Sequence, residues 1–225
     1  MDMTPPKPVS KKARDKNHWT ILRKQQYEFL KRRLPLAGKA LDVGAGPQQF
    51  LELTKRFDLT AIDIQLFEGI DQIVDLEKRL PFADNLFDVV ISTNTFEHIH
   101  NVDRLVQESF RVLKTGGVLV GSTPFFLPLH QEPYDFWRFT IYELEKMFKE
   151  AGFRDLKIEP LGTARDAYYQ ASYHFFVKLY DAKRYYLIVK ILWNMQKLIF
   201  WLFNWLYRTN ASQRSPLGYG FYAKK

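Results

Sequence analysis

The sequence predicts an α/β protein built on a doubly wound, mostly parallel sheet of seven strands. Short apolar runs alternate with segments of helical periodicity, which is typical of such sheets. The run Phe87–Ser92 is almost continuously apolar and indicates a strand buried on both faces. A glycine-rich turn directly follows the first apolar run, at the edge where sheets of this class bind ligands.

The first part of the chain supplies an N-terminal helix and four strands. Helical periodicity begins near His18, and Pro35 and Gly38 end it. The glycine-rich turn then opens a second helix around Phe50–Leu53. The four predicted strands are Ala40–Val43, Leu59–Ile64, Ile70–Leu76 and Phe87–Ser92.

The second part supplies two more helices and three strands. The helices are Val102–Leu113 and Thr140–Ala151, and Thr140 with Glu143 forms a capping pattern. The strands are Val118–Gly121, Phe153–Ile158 and Gly218–Ala223, and Gly116-Gly117 marks a turn before the first of them. If the last strand pairs back into the sheet, a long helical insertion precedes it.

Four regions follow from this order of elements. Residues 1–17 form a mobile basic arm, and 18–160 form the main domain. Residues 161–215 are an aromatic and apolar helical insertion, and 216–225 hold the terminal strand that returns to the sheet. No secretory signal is visible in the polar, basic arm, which favours a cytoplasmic protein.

Charge and composition restrict the possible functions. Residues 1–40 hold 11 Lys/Arg against 3 Asp/Glu, a net charge of +8, and 182–225 hold 8 Lys/Arg and no acid, again +8. The stretch between them, with 14 Lys/Arg and 22 Asp/Glu, has a net charge of −8. Basic ends indicate an anionic partner, either nucleic acid or a membrane surface. The absence of cysteine excludes thiol catalysis, disulfides and cysteine-ligated metals.

The glycine-rich turn is the first motif that carries chemistry. Gly44 and Gly46 let the backbone approach a ligand closely, and the following helix offers free N–H groups. Asp63 lies 21 residues after Asp42, at the end of the second strand, where a carboxylate can accept both hydroxyls of a ribose. A nicotinamide dehydrogenase would use the same geometry, so further motifs must decide.

The further motifs resemble those of the class I S-adenosylmethionine-dependent methyltransferases, in particular the branch called methyltransferase type 11. The resemblance covers about residues 38–160 and the terminal strand, and it implies a Rossmann-like fold with S-adenosyl-L-methionine as cofactor. Gln48 departs from the pattern, because many members carry a third glycine there. The motifs are Leu41–Gly46, Asp63, Asp75-Leu76, Leu80-Pro81-Phe82, Phe87–Asn94, Glu97-His98, Leu113–Val120 and Gly152-Phe153.

The resemblance also implies which residues hold the cofactor. Asp42 and the loop Gly44-Ala45-Gly46 would face its methionine part, and the backbone of Asn94 would line the same end. Asp63 would hold the ribose. The adenine would lie between Ile64 and Leu76, with its amino group bonded to Asp75.

The acceptor site is expected in residues 124–140, which follow the fifth strand at the ligand-binding edge. An oxygen acceptor must lose a proton, and His130 is the candidate base, with Glu132 and Asp135 as reserves. Three side chains could shape the pocket and bind an anionic or sugar group: Tyr134, Trp137 and Arg138. Alternatively, these side chains simply anchor the loop. His98 is expected to be structural, and no set of His and carboxylates has metal-ligand spacing.

Residues 185–207 are long enough to span a bilayer, but Lys190 and Lys197 near the centre disfavour it. The polar residues instead fall in a narrow stripe at 100° per residue, with aliphatic residues over most of the remaining surface. This pattern is typical of a helix lying in a membrane interface. A dimer interface and a helix packed on the sheet are the alternatives. The stripe comprises Lys183, Lys190, Asn194, Lys197, Asn204 and Arg208.

We therefore expect a methyltransferase on the inner face of a membrane. Its acceptor would be a lipid-linked, glycan or quinone-like molecule, methylated on oxygen. The alternatives are an RNA or protein methyltransferase that uses the basic ends, and a non-catalytic membrane scaffold that binds the cofactor. A homodimer is possible, and nucleic acid is the less favoured partner.

Overall fold

The computed structural model describes residues 19–181, 186–206 and 214–225, so the predicted arm at 1–17 lies outside the described residues. The strands are β1 Lys39–Val43, β2 Asp58–Asp63, β3 Gln72–Ile73, β4 Phe87–Thr93, β5 Leu113–Pro124, β6 Arg154–Leu161 and β7 Gly218–Lys224. The helices are α1 Ile21–Arg33, α2 Leu51–Thr54, α3 Val102–Val112, α4 Ile141–Glu150, α5 Ala164–Asp181 and α6 Tyr186–Leu206. A short 3₁₀ helix spans Phe96–His98.

These strands form one seven-stranded sheet in the order β3-β2-β1-β4-β5-β7-β6. The strands from β1 to β5 are parallel to one another. β7 lies antiparallel between β5 and β6, so the chain returns to the sheet at its end. The predicted fold class is confirmed: a mostly parallel α/β sheet with a helical insertion before the last strand.

Every strand differs from its predicted bounds by at least one residue, and β3 and β5 differ most. β3 pairs with β2 through only two residues, because the predicted run continues into the loop that carries Asp75. β5 begins at Leu113 rather than Val118, since the strand passes through Gly116-Gly117. Phe87 pairs with Leu113 and Val89 with Val118, so the glycines form an irregularity in the ladder and not a terminating turn.

Two hydrophobic layers cover the sheet. On one face, α3 and α4 pack through fully buried residues such as Leu105 and Phe148. Phe96 stacks on Phe221 of β7 in this layer, with ring centroids 5.0 Å apart. On the other face, α1 contributes Phe29 and Leu30, both fully buried. The N-terminal end of α1 lies at the carboxyl edge of the sheet, so its first turn is at the functional site.

Side chains fix the N-terminal ends of α1 and α4. Thr20 caps α1 by accepting a hydrogen bond from the Arg23 N–H at 3.2 Å. Thr140 caps α4 by accepting from the Glu143 N–H at 3.3 Å, as the capping pattern predicts. At the other end of α1, Arg32 and Arg33 both pair with Glu159 of β6.

The insertion forms two helices, α5 and α6, between β6 and β7. Trp193 of α6 packs on Tyr169 and Phe176 of α5, at centroid distances of 5.8 and 5.3 Å. Nine large apolar side chains of α6 are 40–67% exposed: Leu187, Ile188, Ile191, Leu192, Met195, Leu198, Ile199, Trp201 and Leu202. Lys183 and Arg208 of the predicted stripe lie outside the described residues. Within the described part of the chain, no helix has both the length and the hydropathy that crossing a membrane requires.

Candidate active site

A cavity of about 790 Å³ opens at the carboxyl ends of β1, β2 and β4. This edge is where open parallel sheets bind their ligands. All nine residues that the sequence predicts for the cofactor line the cavity: Asp42, Gly44, Ala45, Gly46, Asp63, Ile64, Asp75, Leu76 and Asn94. The volume lies within the range usual for small-molecule and cofactor sites.

The loop after β1 depends on its two glycines. Gly44 and Gly46 have φ angles of +68° and +50°. A Cβ on Gly44 would lie 2.4 Å from the Cγ2 and Oγ1 atoms of Thr95, whose hydroxyl donates to the Val43 carbonyl at 3.1 Å. A Cβ on Gly46 would meet nothing within 4 Å, so the space above it is open to a ligand.

Gln48 stands where many family members have a third glycine, and it adopts a backbone conformation that favours glycine. Its φ is +50°. Its side-chain amide donates to the Gly69 carbonyl at 2.7 Å, and this bond ties the glycine loop to the segment after β2. The departure from the family pattern is therefore accommodated without closing the cavity.

Asp42 is a buried acid with one unsatisfied oxygen. The residue is 6% exposed, and its Oδ1 has no hydrogen-bond partner among the described residues. Burial, and then the charge of Asp63, raise the pKa of Asp42 to about 7. A buried carboxylate oxygen without a donor is costly, and a cationic or N–H group of a ligand would satisfy it.

Asp63 is held rigidly at the end of β2. Its Oδ2 accepts from the Gly46 N–H and its Oδ1 from the Gln65 N–H, both at 2.9 Å. Burial raises the pKa of Asp63, and these backbone hydrogen bonds oppose that effect. Each carboxylate oxygen keeps capacity for another donor, such as a ribose hydroxyl.

The far end of the cavity is suited to a flat apolar group. Both Ile64, which is 53% exposed, and Leu76, which is buried, line the cavity. Asp75 accepts from the Glu77 N–H at 3.0 Å and pairs with Lys78 at 3.0 Å. The hydrogen bond from Lys78 is the main cause that lowers the pKa of Asp75, so this half-exposed group is an anionic acceptor.

The N-terminal half of α1 forms a wall of the cavity that the sequence analysis did not predict. Gln26 is 1% exposed, and its Nε2 donates to Asn94 Oδ1 at 2.6 Å. Asn94 has φ +53°, and its own N–H donates to the Ser122 carbonyl at 2.8 Å. Thr20 and Arg23 line the cavity beside Gln26. In the sequence, the signal for this wall is a polar glutamine, Gln26, on the apolar face of the predicted helix.

Of the six residues predicted for the acceptor side, His130 and Tyr134 line the cavity. The other four do not appear in its wall as described: Glu132, Asp135, Trp137 and Arg138. Arg138 donates to Asp135 through Nη1 at 2.6 Å and Nη2 at 2.8 Å, and it holds the pKa of Asp135 far below its usual range. Trp137 donates through Nε1 to the Ile99 carbonyl at 3.0 Å. These contacts hold the loop together.

Folding also assembles a group that sequence spacing did not indicate. Glu97, His98 and His130 bring one potential ligand atom each to within 4.8 Å of the others. The two imidazole rings lie edge to face, with centroids 4.8 Å apart. Glu97 is fully buried, and burial raises its pKa to about 8; burial also lowers the pKa of His98. The Thr123 hydroxyl donates to Glu97 Oε2 at 3.4 Å.

Comparison with known proteins identifies the family. Residues 41–121 match the family model described as a methyltransferase domain. The chain is 30% identical over 156 residues to an uncharacterized protein of Methanocaldococcus jannaschii. The alignment covers 61% of this chain and 74% of that protein. Residues 41–121 therefore belong to this methyltransferase domain family, and the fold of the chain is that of S-adenosylmethionine-dependent methyltransferases. The predicted family, enzyme class and cofactor are confirmed.

Two other similarities place this methyltransferase among its relatives. It is 32% identical over 124 residues to the ubiquinone/menaquinone biosynthesis C-methyltransferase UbiE of Haemophilus ducreyi, and the alignment covers 48% of each chain. The chain thus spans about half the length of that relative. It shares its fold with a structure from Thermotoga maritima described as a possible histamine N-methyltransferase (TM-score 0.56, 16% identity, 93% of this chain and 94% of that one).

The cavity of this methyltransferase fits S-adenosylmethionine. The unsatisfied Oδ1 of Asp42 suits a cationic group, and the open space at Gly46 leaves room for a ligand against the loop. Asp63 can accept from ribose hydroxyls, and the exposed side chain of Ile64 offers an apolar surface to the adenine.

Proposed function

We propose that this methyltransferase methylates an oxygen of a lipophilic, membrane-associated acceptor, such as a lipid-linked, glycan or quinone-like molecule. One observation carries the proposal: a single cavity joins the nine predicted cofactor residues to an end lined by His98, His130 and Tyr134. The similarity to UbiE, whose name assigns it to quinone biosynthesis, supports a quinone-like acceptor.

Each end of the cofactor would have its own partners. Asp42 and the backbone from Gly44 to Gly46 would hold the methionine part, and Asn94 would line the same end. Asp63 would hold the ribose, while Ile64, Leu76 and Asp75 would bind the adenine. The bound cofactor supplies an electrophilic methyl group on a sulfonium centre. The chain supplies orientation, which accounts for a large part of the acceleration in such displacements.

His130 is the side chain that we assign to the acceptor's proton. Its Nδ1 lies 3.1 Å from Asp135 Oδ2 and 3.2 Å from the Pro128 carbonyl. Both neighbours accept hydrogen bonds, so Nδ1 carries the proton and Nε2 keeps the lone pair that can accept one. Asp135 therefore acts as a positioning residue, clamped by Arg138. Glu132, the other reserve, is exposed outside the cavity wall.

The cofactor assignment is tested by calorimetry with S-adenosylmethionine and its demethylated product. We expect micromolar binding that weakens at least about tenfold in Asp63→Asn, which keeps the shape but loses the charge. Asp58→Asn, at the exposed start of β2, is the matched control. Equal affinity in the wild type and Asp63→Asn would contradict the assignment.

The acceptor is tested by methyl transfer from labelled cofactor to hydroquinones and lipid-linked glycans. Mass spectrometry then distinguishes O-methylation from C-methylation. We expect O-methylated product and a large loss of kcat in His130→Gln with unchanged cofactor affinity. Cofactor binding without turnover on any acceptor would favour the alternative of a non-catalytic membrane scaffold that binds the cofactor. Steeply salt-dependent RNA binding and RNA methylation would favour the basic ends as a nucleic-acid site.

The exposed apolar face of α6 supports the membrane part of the proposal. At 3.6 residues per turn, its nine exposed side chains occupy about half of the helix circumference, opposite Trp193. Lys190 and Lys197 border this face, and Lys197 Nζ lies 5.1 Å from the Trp193 ring centroid. Lysines beside an apolar helix face suit an anionic bilayer surface, where each adds about 1 kcal/mol.

Vesicle flotation tests this surface. We expect the wild type to float with phosphatidylserine-containing vesicles, and less with phosphatidylcholine alone. The double variant Ile191→Asn/Leu198→Asn should lose most of this binding, whereas Leu36→Asn, an exposed apolar residue outside α6, should keep it. If the wild type does not float but sediments as a dimer that the double variant disrupts, the face is a homodimer interface instead.

A further inference from the structure

We propose that Glu97, His98 and His130 bind a divalent transition-metal ion, represented by Zn²⁺, at the acceptor end of the cavity. One potential ligand atom from each residue lies within 4.8 Å of the others. Two imidazoles and one carboxylate form a common zinc set, and it leaves a coordination position open. The ion's effect on the acceptor rests on the proposed function, but its binding does not.

The hydrogen bonds of His98 leave the correct atom available. Its Nδ1 lies 2.7 Å from the Tyr134 carbonyl oxygen. A carbonyl only accepts hydrogen bonds, so Nδ1 carries the proton and Nε2 has a lone pair. This Nε2 is buried and, among the described residues, has no hydrogen-bond partner.

Glu97 faces that lone pair with an unsatisfied oxygen. Its Oε1 lies 3.8 Å from His98 Nε2, beyond hydrogen-bond distance, and it too lacks a partner in the described part of the chain. The side chain is fully buried, so bulk water does not solvate it. A cation between Glu97 Oε1 and His98 Nε2 would satisfy both of these unpartnered atoms.

His130 completes the set and is oriented in the manner of a metal ligand. Its Nδ1 is 3.1 Å from Asp135 Oδ2, and its backbone N–H donates to the same oxygen at 3.0 Å. A carboxylate behind an imidazole fixes the tautomer and the ring orientation of metal-binding histidines. Arg138 holds that carboxylate through two hydrogen bonds.

The distances are close to those a zinc site requires. At metal–ligand distances of about 2.0–2.1 Å, tetrahedral ligand atoms lie about 3.3 Å apart. The 3.8 Å between Glu97 Oε1 and His98 Nε2 and the 4.8 Å that bounds the whole set both exceed this, so binding an ion requires the side chains to move closer together. His98 and His130 line the cavity, so the open position would face the acceptor. An ion there lowers the pKa of a bound hydroxyl. In the metal-bound protein His130 would be a ligand and not the base, so a hydroxyl bound to the ion would lose its proton to solvent; the metal-free protein keeps His130 as the base.

The test is calorimetry of the full chain, freed of metal with a chelator, against Zn²⁺, together with visible absorption after Co²⁺ is added. We expect one ion per chain with micromolar or tighter affinity and Co²⁺ bands of a low-coordinate site. His98→Gln and Glu97→Gln should each weaken binding at least about tenfold. His100→Gln, an exposed histidine two residues from His98, is the matched control and should bind as the wild type does.

Cofactor binding by the same variants separates the possible failures. Variants that bind S-adenosylmethionine normally but have lost Zn²⁺ would support the site without a folding artefact. No Zn²⁺ binding at 100 µM in a wild type that binds the cofactor would overturn the metal site and leave the methyltransferase assignment intact. Equal Zn²⁺ affinity in the wild type and His98→Gln would also overturn it.

Discussion

Asp42 limits the stability of the empty protein, and its replacement by asparagine tests why. The side chain is 6% exposed, and its Oδ1 has no partner among the described residues. Burial and the charge of Asp63 raise its pKa to about 7. Asparagine has nearly the same shape and no charge, so Asp42→Asn removes the ionisation without opening a cavity.

The sign and size of the effect follow from proton linkage. Between the ordinary carboxyl pKa of 3.8 and about 7, the folded state binds the proton more tightly than the unfolded state. The contribution of Asp42 to the wild-type unfolding free energy therefore falls through this range as the pH rises, by about 4 kcal/mol in total. Since part of the loss occurs below pH 5, the advantage of Asp42→Asn should grow by about 2–3 kcal/mol between pH 5 and pH 8.

Urea unfolding of the wild type and Asp42→Asn at several pH values measures this advantage directly. Asp58→Asn controls for the loss of one negative charge at an exposed position. In parallel, Asp42→Asn should bind S-adenosylmethionine about 10- to 100-fold more weakly, because a charge-assisted contact is lost. A stability difference that is the same at pH 5 and pH 8 would refute the reasoning, since ionisation would not be its source.

Three further substitutions test the loops around the cavity. Gly44→Ala should lower the free energy of unfolding by about 1–3 kcal/mol and abolish cofactor binding, because the added Cβ meets Thr95. Gly116→Ala is the control in denaturation experiments: Gly116 also has a positive φ, but its added Cβ would meet nothing within 4 Å, so the loss of stability should be smaller. Gln48→Ala should melt lower than Gln48→Gly, since both lose the bond to Gly69 but only glycine adopts φ +50° freely; equal melting temperatures would contradict this. Arg138→Lys should lower kcat while cofactor affinity stays constant, because lysine cannot make the paired bonds that position Asp135; an unchanged kcat would contradict it.

The sheet and the cofactor end could be predicted because their signals are local. Apolar runs such as Phe87–Ser92 determine their own strand, and a parallel sheet brings all its carboxyl ends to one edge. Asp42 and Asp63 lie at the carboxyl ends of neighbouring strands, so their spacing placed them in one cavity. β3 was overestimated because its apolar residues continue into a loop that turns toward the site, where periodicity does not distinguish strand from loop.

The acceptor end could not be predicted because it depends on contacts distant in sequence. His98 and His130 are brought together by a loop that Arg138 and Asp135 hold in shape. Spacing alone carries no information about such a meeting. Gln26 presents the same difficulty, since its partner Asn94 lies 68 residues away and belongs to another layer of the fold.

The two ends of the cavity share one physical feature, which connects stability with binding. Asp42 and Glu97 are buried acids, and each has an oxygen without a partner in the described residues. Burial raises the pKa of both, so the empty protein carries an electrostatic cost at each end. A ligand that supplies a donor or a cation at either oxygen removes that cost and stabilises the folded state, by about 2.7 kcal/mol at a hundredfold excess over its Kd. The same carboxyl groups that weaken the empty fold are thus the ones that would make it selective for cationic ligands.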